Sequence, residues 1–144
     1  QGKLRYREDH FLSNEGELVN VRSRLTLIGE RSEKEFDQEV LLSRSRFFAP
    51  AQQSLRFYKE YFNPTKTIEI EKIRHRFLVS FQDTEIFINV DTFKEPGLGS
   101  FLEIKSRTWS RNDANNKSKL VMKLIELLEL QDRKRIIKDY IELV

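Results

Sequence analysis

Apolar and polar residues alternate with period two through most of this chain, and in two stretches the period lengthens to three and four. Alternation marks a half-buried strand, because successive side chains leave opposite faces. Leu4–Phe11 is one such stretch, with Arg5, Arg7 and Asp9 on one face. Asn14-Glu15-Gly16 reads as a turn. Val19–Ile28 is a clearer strand, on which Arg22, Arg24 and Thr26 oppose Val21, Ser23, Leu25 and Leu27. Glu30–Asp37 is a charged connection, followed by a strand over Glu39–Phe48. Thr67–Ser80 puts Ile70, Lys72, Arg74 and Arg76 on one face. The turn Gln82-Asp83-Thr84 leads into Glu85–Val90, with Ile86, Ile88 and Val90 opposed to Glu85, Phe87, Asn89 and Asp91. After a Pro/Gly turn at Glu95–Gly99 comes the strand Phe101–Thr108.

The longer period predicts two helices. Pro50 suits a first helical turn, and Gln52–Phe62 carries Leu55, Tyr58 and Phe62 as a stripe that stops near Asn63-Pro64. Ser110, with Asp113 three residues on, caps a helix running to about Leu130, whose apolar face includes Leu120, Val121, Leu124, Ile125 and Leu128. A short helix over Asp132–Lys138 and a strand over Tyr140–Val144 end the chain. The helices must bury their stripes against apolar strand faces, which leaves the arginine faces on the other side of the sheet. The expected fold class is α+β.

At 144 residues, with 38% hydrophobic and 11% aromatic residues, the chain has material for one domain with its own core. That composition excludes a disordered chain. No apolar run approaches the roughly 18 residues of a membrane span, no signal peptide is visible, and no membrane partner is expected. The opening Gln1-Gly2-Lys3 suggests an excised piece lacking a preceding N-terminal segment. The absence of cysteine excludes disulfides and thiolate chemistry and fits a cytoplasmic setting.

Net charge is only +3, so placement matters more than excess. Arg5/Arg7, Arg22/Arg24, Arg44/Arg46 and Arg74/Arg76 each aim two guanidinium groups from one strand face, and Glu103, Lys105 and Arg107 repeat the spacing. Guanidinium matches phosphate in a bidentate geometry, so these pairs point to a polyphosphate-binding surface. A solvated outer face is the competing interpretation. For Lys105 and Arg107 an ion-pair ladder with Glu103 stands level with a ligand site. His75 falls on an apolar face and reads as a packing residue. Trp109 reads as packing at a strand–helix junction, ahead of a role in stacking adenine. No P-loop, Gly-x-Gly-x-x-Gly or Ser/His/Asp constellation is present.

Five stretches, in order, carry a resemblance to a known family: Val21-Arg22-Ser23-Arg24-Leu25 with the turn beyond it, Glu71–Arg76, Phe87–Asp91, Gly97–Ile104, and the tail Tyr140–Leu143 behind a Leu-rich helix. Together they resemble the CYTH family, or triphosphate tunnel metalloenzymes, which includes class IV adenylate cyclases and thiamine triphosphatases. The resemblance covers most of the chain from about Asp9. It implies a single CYTH-like domain over 1–144, an antiparallel β-barrel forming a tunnel with helices outside, and triphosphate bound inside with Mg²⁺ or Mn²⁺. It also implies Arg22, Arg24, Lys72, Arg74 and Arg76 as phosphate ligands; strand-face spacing, not the resemblance, adds Arg5, Arg7, Arg44, Arg46, Lys105 and Arg107 as further candidates. Glu103 and Asp91 become the metal carboxylates and the groups that orient an attacking water, with Asp9 as a further metal ligand and Glu85 behind it. The family's first-strand Glu-x-Glu-x-Lys is absent, and Lys105 stands where its late strand has a second glutamate.

The implied activity is a metal-dependent phosphohydrolase acting on a nucleoside triphosphate, another triphosphate or inorganic polyphosphate, with adenylate cyclase activity within the family's range. The alternative is a non-catalytic polyphosphate or nucleotide sensor linked to a neighbouring domain. RNA binding ranks third, because the aromatics are not interleaved with the arginines.

Overall fold

The computed structural model describes residues 3–28, 34–36, 40–42, 48–136 and 138–144. They divide between two compact units, Gln1–Glu33 with Ser43–Thr67, and Lys34–Leu42 with Ile68–Val144.

In the first unit β1 (Lys3–Leu12) and β2 (Leu18–Ile28) form an antiparallel hairpin, and β5 (Phe48–Pro50) pairs with the other edge of β2. Gly16, at φ 86°, supplies the left-handed residue that the connecting turn requires. Helix α1 spans Leu55–Phe62. It starts later than the periodicity predicts because Ser54 is the cap, accepting a hydrogen bond from the Phe57 N–H. Left-handed Asn63, with Pro64 behind it, ends the helix. Tyr58 packs against Tyr6 of β1, ring centroids 5.9 Å apart.

The second unit holds the ribbon β3 (Lys34–Phe36) and β4 (Val40–Leu42), then the sheet β6 (Glu71–Phe81), β7 (Thr84–Glu95) and β8 (Ser100–Lys105). Helix α2 (Arg111–Leu127) follows, with Ser110 as its cap and Ala114, Ser118, Val121 and Leu124 turned to the interior. The fully buried Ile86 and the nearly buried Phe93 join Ala114, Val121 and Leu124 as core, so the buried apolar residues among those described all belong to this unit. The β6–β7 turn is a two-residue hairpin in which Gln82 and Asp83 both take positive φ, which matches the right-handed twist of the strands.

The structure corrects the expected barrel. Among the described residues the strands form two small three-stranded antiparallel sheets and one two-stranded ribbon, and none closes on itself. The described residues form a small, mostly-β fold with two α-helices. Alternation tells which face a side chain takes, whereas closure needs pairing between strands remote in sequence, which alternation does not encode. Three local corrections accompany it. The charged connection after Ile28 contains strand β3. Asp132–Ile136 contains no helix. Tyr140–Glu142 is a 3₁₀ turn rather than a strand, because Asp139 and Glu142 cap each other's backbone N–H groups.

Candidate functional site

On the β6–β7–β8 sheet one face collects six of the predicted site residues, Lys72, Arg74, Arg76, Asp91, Glu103 and Lys105. The register sets Arg74 opposite Asp91, Arg76 opposite Asn89, and Asn89 opposite Glu103, with Lys105 beside Phe87. Asp91 is fully buried. It accepts hydrogen bonds from Lys72 Nζ at 2.6 Å and, in bidentate fashion, from Arg74 Nε at 2.6 Å and Nη at 2.5 Å. The same Arg74 nitrogen lies 3.1 Å from Glu103. Glu103 also accepts from Asn89 Nδ2 at 2.6 Å and Lys105 Nζ at 3.2 Å, while the Asn89 carbonyl accepts from Arg76 Nε at 2.9 Å. One connected network therefore runs from Lys72 to Lys105.

Burial works against ionisation of Asp91, but the hydrogen bonds and charges of Arg74 and Lys72 overcome it and hold the carboxyl well below the usual range. Glu103 behaves alike: burial opposes its charge, and Lys105, Arg74 and Asn89 more than offset that. Arg74 is pushed up, since its two carboxylates outweigh desolvation.

Tyr140 closes one end of this face. Its ring meets Phe93 at 4.7 Å and Phe101 at 5.3 Å, and Lys72 Nζ sits 4.4 Å above it. Burial, then the charge of Asp91 and a hydrogen bond to it, push the phenol up and keep it protonated. Sequence reasoning missed Tyr140 as a functional residue because it reads as the start of a strand. It missed Asn89 because an amide carries no charge to count, although a polar residue on the same face as Asp91 was the available signal.

In the first unit Arg5, Arg7 and Asp9 share a face with Arg22, Arg24 and Thr26, and Arg7 stands directly opposite Arg24. Like charges so placed repel. Asp9 relieves the repulsion, accepting from Arg7 Nε at 2.5 Å, Arg24 at 2.9 Å and Arg22 at 3.4 Å. Although burial opposes its charge, Arg7 and then Arg24 hold its carboxyl below the ordinary range. The Nε of Arg24 is buried with no hydrogen-bond partner among the described residues. Arg5, Arg7, Arg24, Thr26 and Phe48 line a cavity of about 180 Å³.

The structure thus brings Lys72, Arg74, Arg76, Lys105, Asp91 and Glu103 together on one sheet, and Arg5, Arg7, Arg22, Arg24 and Asp9 on another. Arg44 and Arg46 lie outside the described residues. β8 ends at Lys105, so Arg107 leaves the strand and places its guanidinium 5.9 Å from the Phe87 ring. Trp109 does not pack at the strand–helix junction: it is 83% exposed. Asp91 and Glu103 serve as counter-ions, and an octahedral Mg²⁺ or Mn²⁺ on them would have to displace ammonium and guanidinium donors. Among the described residues no three His, Asp or Glu side chains gather as a metal-holding group. As arranged, these carboxylates do not fit a divalent-metal ligand set. No helix of the described residues is long and apolar enough to cross a membrane.

Comparison of the chain with protein-family models, with curated proteins and with solved structures gives no match.

Proposed function

We propose that this protein binds a phosphate-rich anion, a triphosphate or inorganic polyphosphate, on the cationic faces of its two three-stranded sheets. One observation carries this: each face bears more cations than carboxylates. On β1–β2 Arg5, Arg7, Arg22 and Arg24 share a face with Asp9, which bonds the last three, and on β6–β8 Lys72, Arg74, Arg76 and Lys105 share a face with Asp91, Glu103 and Glu85. The in-chain carboxylates hold the cations in extended, shared positions, which lowers the entropic cost of meeting a ligand. The buried Arg24 Nε adds a donor that a phosphate oxygen would satisfy. Arg22, Arg24, Lys72, Arg74 and Arg76 are also positions at which the chain resembles the CYTH family, whose members bind triphosphates. The cysteine-free composition supports a cytoplasmic setting for this activity.

Binding without turnover is favoured over hydrolysis, because Asp91 and Glu103 are committed to their cations. Calorimetry with tripolyphosphate, with and without Mg²⁺, tests the proposal, followed by a phosphate-release assay on the same samples. The expected result is metal-independent binding that weakens roughly tenfold or more in Arg24→Ala and in Arg76→Ala, since each loses a hydrogen bond involving charge. Absence of binding at millimolar tripolyphosphate overturns the proposal. Metal-dependent phosphate release would make the protein a phosphohydrolase instead.

A further inference from the structure

The arginine face of the first sheet also carries two aromatic rings. Phe11 follows Arg5, Arg7 and Asp9 on the same face of β1, and the register sets it opposite Asn20 of β2. Phe48 of β5 pairs with Thr26, which follows Arg22 and Arg24 on that face of β2. The rings therefore bracket the arginines, about 20 Å apart along β2 at roughly 3.3 Å per residue. Phe48 is remote from these arginines in sequence, and the β2–β5 pairing is what brings it among them.

Both rings are open, and both are held by side chains. Phe11 is 40% exposed and Phe48 61%. The Arg22 guanidinium lies 5.1 Å from the centre of the Phe11 ring, and that of Arg24 lies 6.0 Å from the centre of Phe48. Asp9 accepts hydrogen bonds from both guanidinium groups, at 3.4 Å and 2.9 Å. One run of side-chain contacts thus passes from ring to ring, Phe11–Arg22–Asp9–Arg24–Phe48, so each ring is anchored by its neighbour while much of its surface stays in solvent. The cavity of about 180 Å³ between Arg5, Arg7, Arg24 and Phe48 sets cations and a ring around the same space.

A bare phosphate chain would engage the guanidinium groups and leave both rings in water. A polymer that carries a flat ring beside each phosphate engages both, because bases stack on aromatic side chains and on guanidinium planes alike. Bases inside a duplex are already stacked and paired, so the strand must be single.

We propose that the β1–β2–β5 face binds single-stranded nucleic acid, with phosphates on Arg5, Arg7, Arg22 and Arg24 and bases against Phe11 and Phe48. This rests on the anion-binding reading of that face and extends it from a phosphate chain to a polymer whose phosphates carry bases.

Fluorescence anisotropy with labelled oligouridylate and oligothymidylate of about twelve nucleotides tests it. Both probes carry 5′-hydroxyl ends, so that binding reports the strand and not a terminal phosphate. Both are expected to bind, the tighter of the two naming the sugar, with a log–log salt slope of about −3, or about −0.7 for each of four phosphates. Phe11→Ala and Phe48→Ala, at exposed positions, should each weaken oligonucleotide binding roughly tenfold, the scale of one lost stack, and leave tripolyphosphate affinity unchanged. Phe48→Tyr should keep the affinity, whereas Phe48→Leu, apolar but without a π face, should lose it. If tripolyphosphate binds while the oligonucleotides do not, or bind the alanine variants equally, or bind no better than a duplex of the same length, the stacking face is refuted and the anion site stands. If neither ligand binds, both fall.

Discussion

Replacing Asp91 by alanine removes the one wholly buried carboxylate on the β6–β8 face and leaves Lys72 and Arg74 facing each other. Breaking a buried ion pair by deleting one partner costs about 3–5 kcal/mol, because the remaining charge is uncompensated. Two features of the site place this case at the lower end. Glu103 remains 3.1 Å from Arg74 as a second counter-ion, and the side chains of Lys72 and Arg74 keep 20% and 14% exposure through which water can return. The expected loss is therefore about 3 kcal/mol, a large share of the roughly 5–15 kcal/mol that holds a typical domain together.

Urea unfolding followed by circular dichroism measures it as a lower midpoint at unchanged slope. The binding proposal adds a second expectation. Because the cations released from Asp91 are among those assigned to phosphate, tripolyphosphate at about a hundred times its Kd should return some 2.7 kcal/mol to the variant. A loss under about 1 kcal/mol, the range of exposed pairs, would refute the counter-ion role derived from the geometry.

Asp9→Asn should lower stability by only about 1–2 kcal/mol, since its partners are more exposed, yet tighten tripolyphosphate binding by releasing the guanidinium groups of Arg7, Arg22 and Arg24 from their shared carboxylate. Weaker binding in calorimetry would contradict the charge-excess argument. Asp9, Asp91 and Glu103 are all held below their ordinary values. The stability they supply is full above the unfolded carboxyl range near pH 4 and is lost as pH falls toward their folded values. A urea midpoint that stays level from pH 6 to pH 2 would rule this out. Tyr140→Phe should cost about 1 kcal/mol by removing the hydroxyl that lies beside the Asp91 charge. In wild type one of the four tyrosines should ionise later than the rest in an ultraviolet titration, with stability falling above about pH 10 as the unfolded phenol ionises first. The variant should lack that late step.

Much of the second face is legible in the sequence, and the reason is local. Period two puts Lys72, Arg74 and Arg76 on one side of β6, and Asn89 and Asp91 on one side of β7. The two-residue turn at Gln82-Asp83 then fixes the register, because pairing Phe81 with Thr84 sets Arg74 opposite Asp91 further down the hairpin. Alternation and turn position together predict the strongest ion pair of the site. The arginine pairs of β1 and β2 follow from the same logic around the turn at Gly16. What stayed hidden depends on contacts that no local period records. Tyr140 reaches Asp91 from the far end of the chain, and its own segment reads as a strand, whereas Asp139 and Glu142 cap it as a 3₁₀ turn.

Barrel closure failed as an expectation for the related reason that facing and pairing are different properties. A charged strand face needs only something polar in front of it. An arginine face with its own aspartate satisfies that need within a single open sheet, so the charge pattern that suggested a tunnel is equally compatible with two separate surfaces. Trp109 shows the same limit from the other side. A tryptophan between a strand and a helix reads as a packing residue because most are, and only the pinned backbone beneath an uncovered ring shows that this one is presented outward. Counter-ions and ring therefore differ in what encodes them: local alternation places Asp91 and Asp9 beside their cations, whereas the exposure of Trp109 depends on what packs over it, which no local period records.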